Sequence, residues 1–195
     1  MSQAPIGVIL AGGLGHRLGG AKATVELRGR PLLSYPLAVL REALAEVVIV
    51  AKADTELPAG LEGVPVSIEP SLPRHPLTGI VHALGFAAGR AVLVCAADMP
   101  FVTPELVTRI AGADPQGAPA VVPLTGEALQ PLLALYLPGA FDGRAVDSGR
   151  PLRTLVAELG PRLLAVEDGG PFFNVNTRED LRRAEAILGA RYPNV

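Results

Sequence analysis

Sulfur is nearly missing from this sequence. Its one cysteine, Cys95, rules out an intrachain disulfide and makes a cysteine-built zinc site a poor reading. Charge is thin as well: 18% of residues are charged and the formal net charge is −2. A non-specific nucleic-acid binder needs a basic face, so no nucleic acid is expected as a partner. That balance still leaves room for a local cationic pocket. No apolar run reaches the length of a membrane span, and no charged region precedes the first apolar run as in a signal peptide. No membrane partner is therefore expected, and the cytoplasm is the default compartment. Lysine is scarce, with only Lys22 and Lys52, while arginine carries the other positive charges. Linkers, internal repeats and low-complexity tracts are missing too, because proline and glycine are spread along the chain. At 195 residues and 49% hydrophobic, the length suits one α/β domain over 1–195 with a sizeable core.

What is present is a glycine-rich loop. Residues 6–10, Ile-Gly-Val-Ile-Leu, read as a buried strand. The stretch Leu10-Ala11-Gly12-Gly13-Leu14-Gly15-His16-Arg17-Leu18-Gly19-Gly20-Ala21-Lys22 follows, with five glycines in its thirteen residues. Glycine lets a backbone approach a ligand with no Cβ in the way. Backbone N–H groups with two cations, Arg17 and Lys22, suit a polyphosphate. The loop is not a P-loop: Gly15 and Gly20 have the right separation, but Ala21 comes between Gly20 and Lys22, and Ala23 takes the place of a hydroxyl. Nor is it the dinucleotide fingerprint, since Gly13-Leu14-Gly15 is followed by Leu18 at the third glycine position.

Short apolar runs alternate with amphipathic segments along the chain, the pattern of βαβ units around a mostly parallel sheet. Strands are expected over 6–10, 47–50, 64–68, 91–95, 120–122, 132–136 and 163–166. Helices are expected after Pro31, over 77–88, over 104–111 with Thr103 as N-cap and Pro104 at the first helical position, and over 152–159. A last helix starts at Thr177, with Asp180 completing an approximate capping box and Gly189 as its C-cap. The loop-rich segment 54–76 is expected to border a ligand.

Asp98 follows the clearest internal strand in Ala96-Ala97-Asp98-Met99-Pro100-Phe101. A carboxylate just beyond a buried parallel strand lies at the carboxyl edge of the sheet, where ligands of open α/β sheets bind. The glycine loop leaves another strand at the same edge, so the two are expected to converge. Hard oxygen ligands suit Mg²⁺, and Asp98 is the candidate anchor. Cys95 reads as a buried strand thiol, because none of His16, His75 and His82 stands in a recognisable cysteine-hydrolase pattern. Asn174 and Asn176, on alternate positions of an extended segment, point to one side and form a candidate polar pair.

Taken in order, the loop with Arg17 and Lys22, Pro76-Leu77-Thr78-Gly79, Asp98-Met99-Pro100-Phe101, the Gln130-Pro131 strand and Asn174-Val175-Asn176-Thr177 resemble the molybdenum cofactor guanylyltransferase family of sugar-nucleotide-type nucleotidyltransferases. The resemblance implies a Rossmann-like three-layer α/β/α fold with a mostly parallel central sheet, like nucleotide-diphospho-sugar transferases. It implies transfer of GMP from Mg-GTP to molybdopterin, with GTP and molybdopterin as small-molecule substrates, Mg²⁺ as cofactor and transient contact with molybdoenzyme maturation proteins. It also implies that Leu10, Ala11, Gly12, Gly13, Lys22 and Asp98 bind the nucleotide. Arg17, Lys22 and Asp98 would carry catalysis, and Asn174 and Asn176 would lie toward the pterin.

This chain departs from the family pattern at several positions. Ala21 replaces an acidic residue before the loop lysine, and His75 replaces a glycine. Ala51, Lys52 and Ala53 stand where an asparagine is common. Ile68-Glu69-Pro70-Ser71 puts Pro70 where an aspartate commonly reads guanine, with Glu69 as the neighbouring carboxylate. Two other readings therefore stay open. One is a relative using another base or acceptor, such as a CTP:molybdopterin cytidylyltransferase. The other is a diverged, non-catalytic nucleotide-binding module.

Overall fold

The computed structural model describes residues 3–12, 23–61, 63–144 and 146–191. The apolar run at the head of the chain forms β1 (Ile6–Leu10). A hairpin of β2 (Glu26–Leu27) and β3 (Arg30–Pro31) follows the glycine loop. Its two-residue turn, Arg28-Gly29, takes φ of 52° and 74°, so both residues are left-handed, as in the hairpin turns that match strand twist. Two-residue strands carry no readable alternation, which is why the sequence does not announce them. The chain continues through α1 (Ser34–Ala43), β4 (Val47–Ala51), β5 (Val66–Ile68), α2 (Pro76–Phe86), β6 (Val92–Ala96) and α3 (Pro104–Ala111). After these come β7 (Ala120–Thr125), β8 (Ala128–Leu129), β9 (Leu133–Tyr136), α4 (Leu152–Ala157), β10 (Arg162–Ala165) and α5 (Arg178–Arg191).

The main sheet has the order β10-β7-β9-β6-β1-β4-β5, with β8 paired to β7. The strands β6, β1, β4 and β5 are mutually parallel. By contrast β9 runs antiparallel to both β6 and β7, and β10 lies parallel to β7. The sheet is thus mixed, with a parallel block around β1. Residues of these strands alternate between two cores. Ile9, Ile49, Leu93 and Cys95 pack with Leu37 and Leu40 of α1 and Val107 and Ile110 of α3. Val8, Val50 and Val94 pack with Leu77 and Ile80 of α2 and Leu155 and Val156 of α4. Helices therefore cover both faces, giving the expected α/β/α layering. Burial on both faces also explains why the parallel strands read as continuous apolar runs. A third, smaller cluster joins Leu27, Leu32, Phe101, Val175 and Ala184. Among the described residues, no helix is long and apolar enough to cross a membrane.

Caps follow the sequence closely. Thr103 caps α3 by accepting from the Leu106 N–H. The Thr177–Asp180 box forms: the Asp180 N–H donates to Thr177 Oγ1 at 3.1 Å, and the Thr177 N–H donates to the Asp180 carboxylate at 2.9 Å. Most element boundaries shift by one to three residues, and two differences have a local cause. The strand expected over 64–68 shortens to Val66–Ile68, because the Val64 N–H closes a turn onto the Leu61 carbonyl at 3.0 Å. Gly189 does not end the last helix, which runs on to Arg191; an interior glycine costs only about 1 kcal/mol relative to alanine and does not force a stop.

Candidate active site

The strand order creates the site. From β1 the chain crosses to β4 and β5, then returns through α2 to β6 on the other side of β1. Connections diverge there, and open α/β sheets bind ligands outside the carboxyl ends at such a switch. Backbone hydrogen bonds fasten the strand ends together. The Ala11 N–H donates to Val50 O at 2.8 Å, Ala97 to Leu10 at 3.1 Å, and Glu69 to Ala51 at 2.9 Å.

A cavity of about 270 Å³ opens over these ends. Leu10, Ala11, Gly12, Lys52, Glu69 and Asp98 all line it, with Gly79 of α2 on one wall and Arg74 and His75 nearby. The root of the glycine loop and the carboxylate after β6 therefore share one pocket. Asp98 is 6% exposed, and its backbone carbonyl accepts from the Val175 N–H at 2.9 Å. That bond ties the asparagine segment to the same edge. Gly13, His16, Arg17 and Lys22 lie outside the described residues.

A second cavity of about 180 Å³ adjoins the first, sharing Pro76 and Leu132 with it. Asn174 lines it, with Met99, Gln130 and Arg153. The Asn174 side-chain amide donates to the Phe172 carbonyl at 2.9 Å. Asn176 lines neither cavity. It is exposed, and its backbone N–H donates to the Asp180 carboxylate at 3.0 Å in the cap of α5. Of the two residues that the sequence pattern pairs, Asn174 lines the second cavity, and Asn176 joins the cap of α5 through its backbone.

Sequence reasoning passed lightly over a buried ion pair. Lys52 Nζ donates to the Pro70 carbonyl at 2.7 Å and lies 3.3 Å from Glu69 Oε1. Their side chains are 2% and 6% exposed. Two signals were available: Lys52 is one of only two lysines, and Glu69 sits beside the anomalous Pro70. At the mouth, Arg74 pairs with Asp54, and its hydrogen bond holds the Asp54 carboxyl below the usual range. His75, in place of the family glycine, caps α2 through Nδ1, which accepts from the Leu77 N–H at 3.2 Å, while its Nε2 lies 3.1 Å from the Arg150 carbonyl. His82 meets Ser67 Oγ at 2.8 Å and packs edge-on against Phe86.

Burial, and secondarily the charge of Asp98, pushes the Cys95 thiol up. A fully buried thiol of this kind is inert as a nucleophile. Among the described residues, no group of three His, Cys, Asp or Glu side chains could hold a metal ion unaided. Asp98 alone fits a cation that brings its other ligands with it, as Mg²⁺ does when bound through one or two carboxylates and substrate phosphates.

Comparison with known proteins decides the family. Residues 7–163 match the MobA-like NTP transferase domain. The chain belongs to the MobA-like NTP transferase family. A probable molybdenum cofactor guanylyltransferase from Pelotomaculum thermopropionicum is 37% identical, with 93% of this chain and 92% of that protein covered. A molybdenum cofactor guanylyltransferase from Cereibacter sphaeroides is 35% identical, covering 93% and 96%. The crystal structure of molybdopterin-guanine dinucleotide biosynthesis protein A from Archaeoglobus fulgidus superposes with a TM-score of 0.73 at 26% identity, covering 95% of this chain and 99% of that one. This MobA-like chain is an enzyme of the nucleotidyltransferase class, on the nucleotide-diphospho-sugar transferase fold.

Proposed function

We propose that this enzyme transfers GMP from Mg-GTP to molybdopterin, forming molybdopterin guanine dinucleotide and pyrophosphate. A phosphate oxygen of the acceptor attacks the α-phosphorus in line, and the bond from that phosphorus to the β-phosphate bridging oxygen breaks. Such a reaction requires no protein nucleophile. Its barrier falls through positioning and through charges preorganised for the leaving pyrophosphate. The backbone of Leu10, Ala11, Gly12 and Gly13 cradles the nucleotide, and Lys22 and Arg17 supply the cations. Asp98 anchors the Mg²⁺, which neutralises phosphate charge when bound. Asn174 holds the pterin side from the second cavity, whereas Asn176 lies outside that cavity, at the cap of α5.

The observation that carries this reading is the buried carboxylate of Asp98, just past a parallel strand, in the same cavity as Leu10 to Gly12. The test is pyrophosphate release from each nucleoside triphosphate, with Mg²⁺, with and without molybdopterin. Release from GTP only when molybdopterin is present is the expected result. Release from CTP alone would move the enzyme to the cytidylyl branch, and binding without turnover would leave a nucleotide-binding module. Replacing Arg17 or Lys22 with alanine should slow transfer about 100- to 1000-fold, as loss of a preorganised electrostatic donor does elsewhere.

A further inference from the structure

His75 stands where a glycine is usual, and its ring makes two contacts that no glycine could. Pro76 confines the residue before it to extended backbone, and His75 has φ −136° and ψ 141°. Its Nδ1 accepts from the Leu77 N–H at 3.2 Å and so caps α2. An accepting Nδ1 assigns the proton to Nε2, which donates to the Arg150 carbonyl at 3.1 Å. That second bond ties the start of α2 to the residue two before α4. Arg150 is itself anchored. Its guanidinium pairs with Glu158 at the other end of α4, with Nη1 donating to Oε2 at 3.0 Å. The positions just past Arg150 then build the second cavity, where Pro151, Leu152 and Arg153 join Pro76 in the lining. His75 lines the first cavity. One imidazole therefore stands between the two cavities and bonds the wall of one to the root of the other.

We propose that His75 is a positioning residue for the acceptor: its Nε2 holds the start of α4 against the start of α2 and so presets the wall that carries Arg153. The inference rests on the reading above in which the second cavity takes the acceptor. Among the described residues, 137–151 contain neither helix nor strand, so no ladder of backbone bonds fixes where α4 begins. A hydrogen bond to the carbonyl just before that helix removes the freedom before anything binds. An acceptor that meets a preset wall spends none of its binding free energy on ordering it. The nucleotide side differs. Its floor at Leu10 and Ala11 is fastened by strand-end bonds to Ala97 and Val50, which do not involve His75. The effect of the tie therefore falls on the acceptor and not on GTP.

Two amide substitutions separate the two contacts. His75→Asn keeps an acceptor near the place of Nδ1 and loses Nε2, whereas His75→Gln carries an amide N–H to the place of Nε2 and loses the cap. His75→Gly removes both. The experiment measures kcat and both KM values of the whole protein with Mg²⁺, GTP and molybdopterin. His75→Asn and His75→Gly are expected to raise KM for molybdopterin about 3- to 10-fold, the size of one hydrogen bond between neutral groups. For kcat and for KM of GTP the change should stay within about 2-fold, and His75→Gln should bring KM for molybdopterin back to within about 2-fold of the natural value. Amide hydrogen exchange over 151–157, measured without substrates, should quicken in His75→Asn and His75→Gly but not in His75→Gln. An unchanged KM for molybdopterin in His75→Asn would overturn the proposal, and so would an equal rise in KM for GTP, or a His75→Gln variant that matches His75→Asn. Unchanged exchange in His75→Asn would overturn it as well. A natural protein that transfers nothing to molybdopterin would instead sink the functional reading, and the acceptor role of His75 with it, while exchange that still quickens in His75→Asn would show the tie itself intact.

Discussion

The two cavities sit side by side on one sheet edge, yet they are built from different material. The first gathers Lys52, Glu69 and Asp98 at the ends of parallel strands or just past them. The second draws Gln130 and Pro131 from the approach to the antiparallel strand β9, Arg153 from α4, and Asn174 from a stretch with no regular structure. Parallel strands end together, so their successors stack charged groups close to one another in a low-dielectric pocket. An antiparallel strand presents its opposite end to that edge, and the groups offered there come from turns and from the helix after them. Charged side chains therefore concentrate on one side. The other side offers Gln130, Asn174 and Arg153 among apolar neighbours.

The sharpest way to break this contrast is at Asp98. Asp98→Ala should lower Mg²⁺-dependent transfer at least about 1000-fold, roughly 4 kcal/mol of transition-state stabilisation. Circular dichroism and thermal melting should remain near those of the natural protein. Near-normal turnover in a folded variant would remove the acid from its assigned role.

Second in size is an effect on stability. Lys52→Met strips the counter-charge from a buried carboxylate and should cost about 3–5 kcal/mol. At about 2–4 °C per kcal/mol for a chain of this size, the melting temperature should fall by roughly 6–20 °C. Adding Glu69→Leu should recover most of that loss, because a buried pair replaced by apolar groups is often neutral. A double variant no more stable than Lys52→Met would show that the pair is not coupled.

Asn174→Ala should raise KM for molybdopterin about 10-fold and leave GTP affinity unchanged, while Asn176→Ala should change neither by more than about 2-fold. Equal effects of the two substitutions would give both residues a place at the acceptor. The smallest effect lies in the cap of α5. Thr177→Ala should cost about 1 kcal/mol, read as a shift of about 2–4 °C. The same cap has a pH signature. Hydrogen bonds from Thr177, above all, hold the Asp180 carboxyl below its ordinary range. That contribution is present above about pH 4 and is lost as pH falls through the lowered value, so the difference between Thr177→Ala and the natural protein should shrink below pH 4.

Much of this was legible because buried parallel strands leave a strong mark. Continuous apolar runs at Ile6–Leu10, Val47–Ala51 and Val92–Ala96 locate the parallel block, and the carboxyl edge follows from it. That is why Asp98 and the loop root could be brought together from residue order alone. Lys52 was harder to place: a lysine after a strand looks like a solvated charge, and only the tertiary fold shows it sealed against Glu69 and Pro70. Asn176 shows what alternation leaves out. Alternation put it beside Asn174, but its backbone serves the cap of the next helix. The hairpin β2–β3 was illegible because strands of two residues have no period to detect.

The small cluster around Val175 draws its members from three places: Leu27 just past the glycine loop, Phe101 just past Asp98, and Ala184 in α5. The last helix is thus a keystone for the site more than for the sheet. A protein shortened before residue 177 would keep its two large cores but lose the wedge that aligns three distant segments. Such a chain should still melt cooperatively while turning over poorly, its defect one of alignment and not of folding.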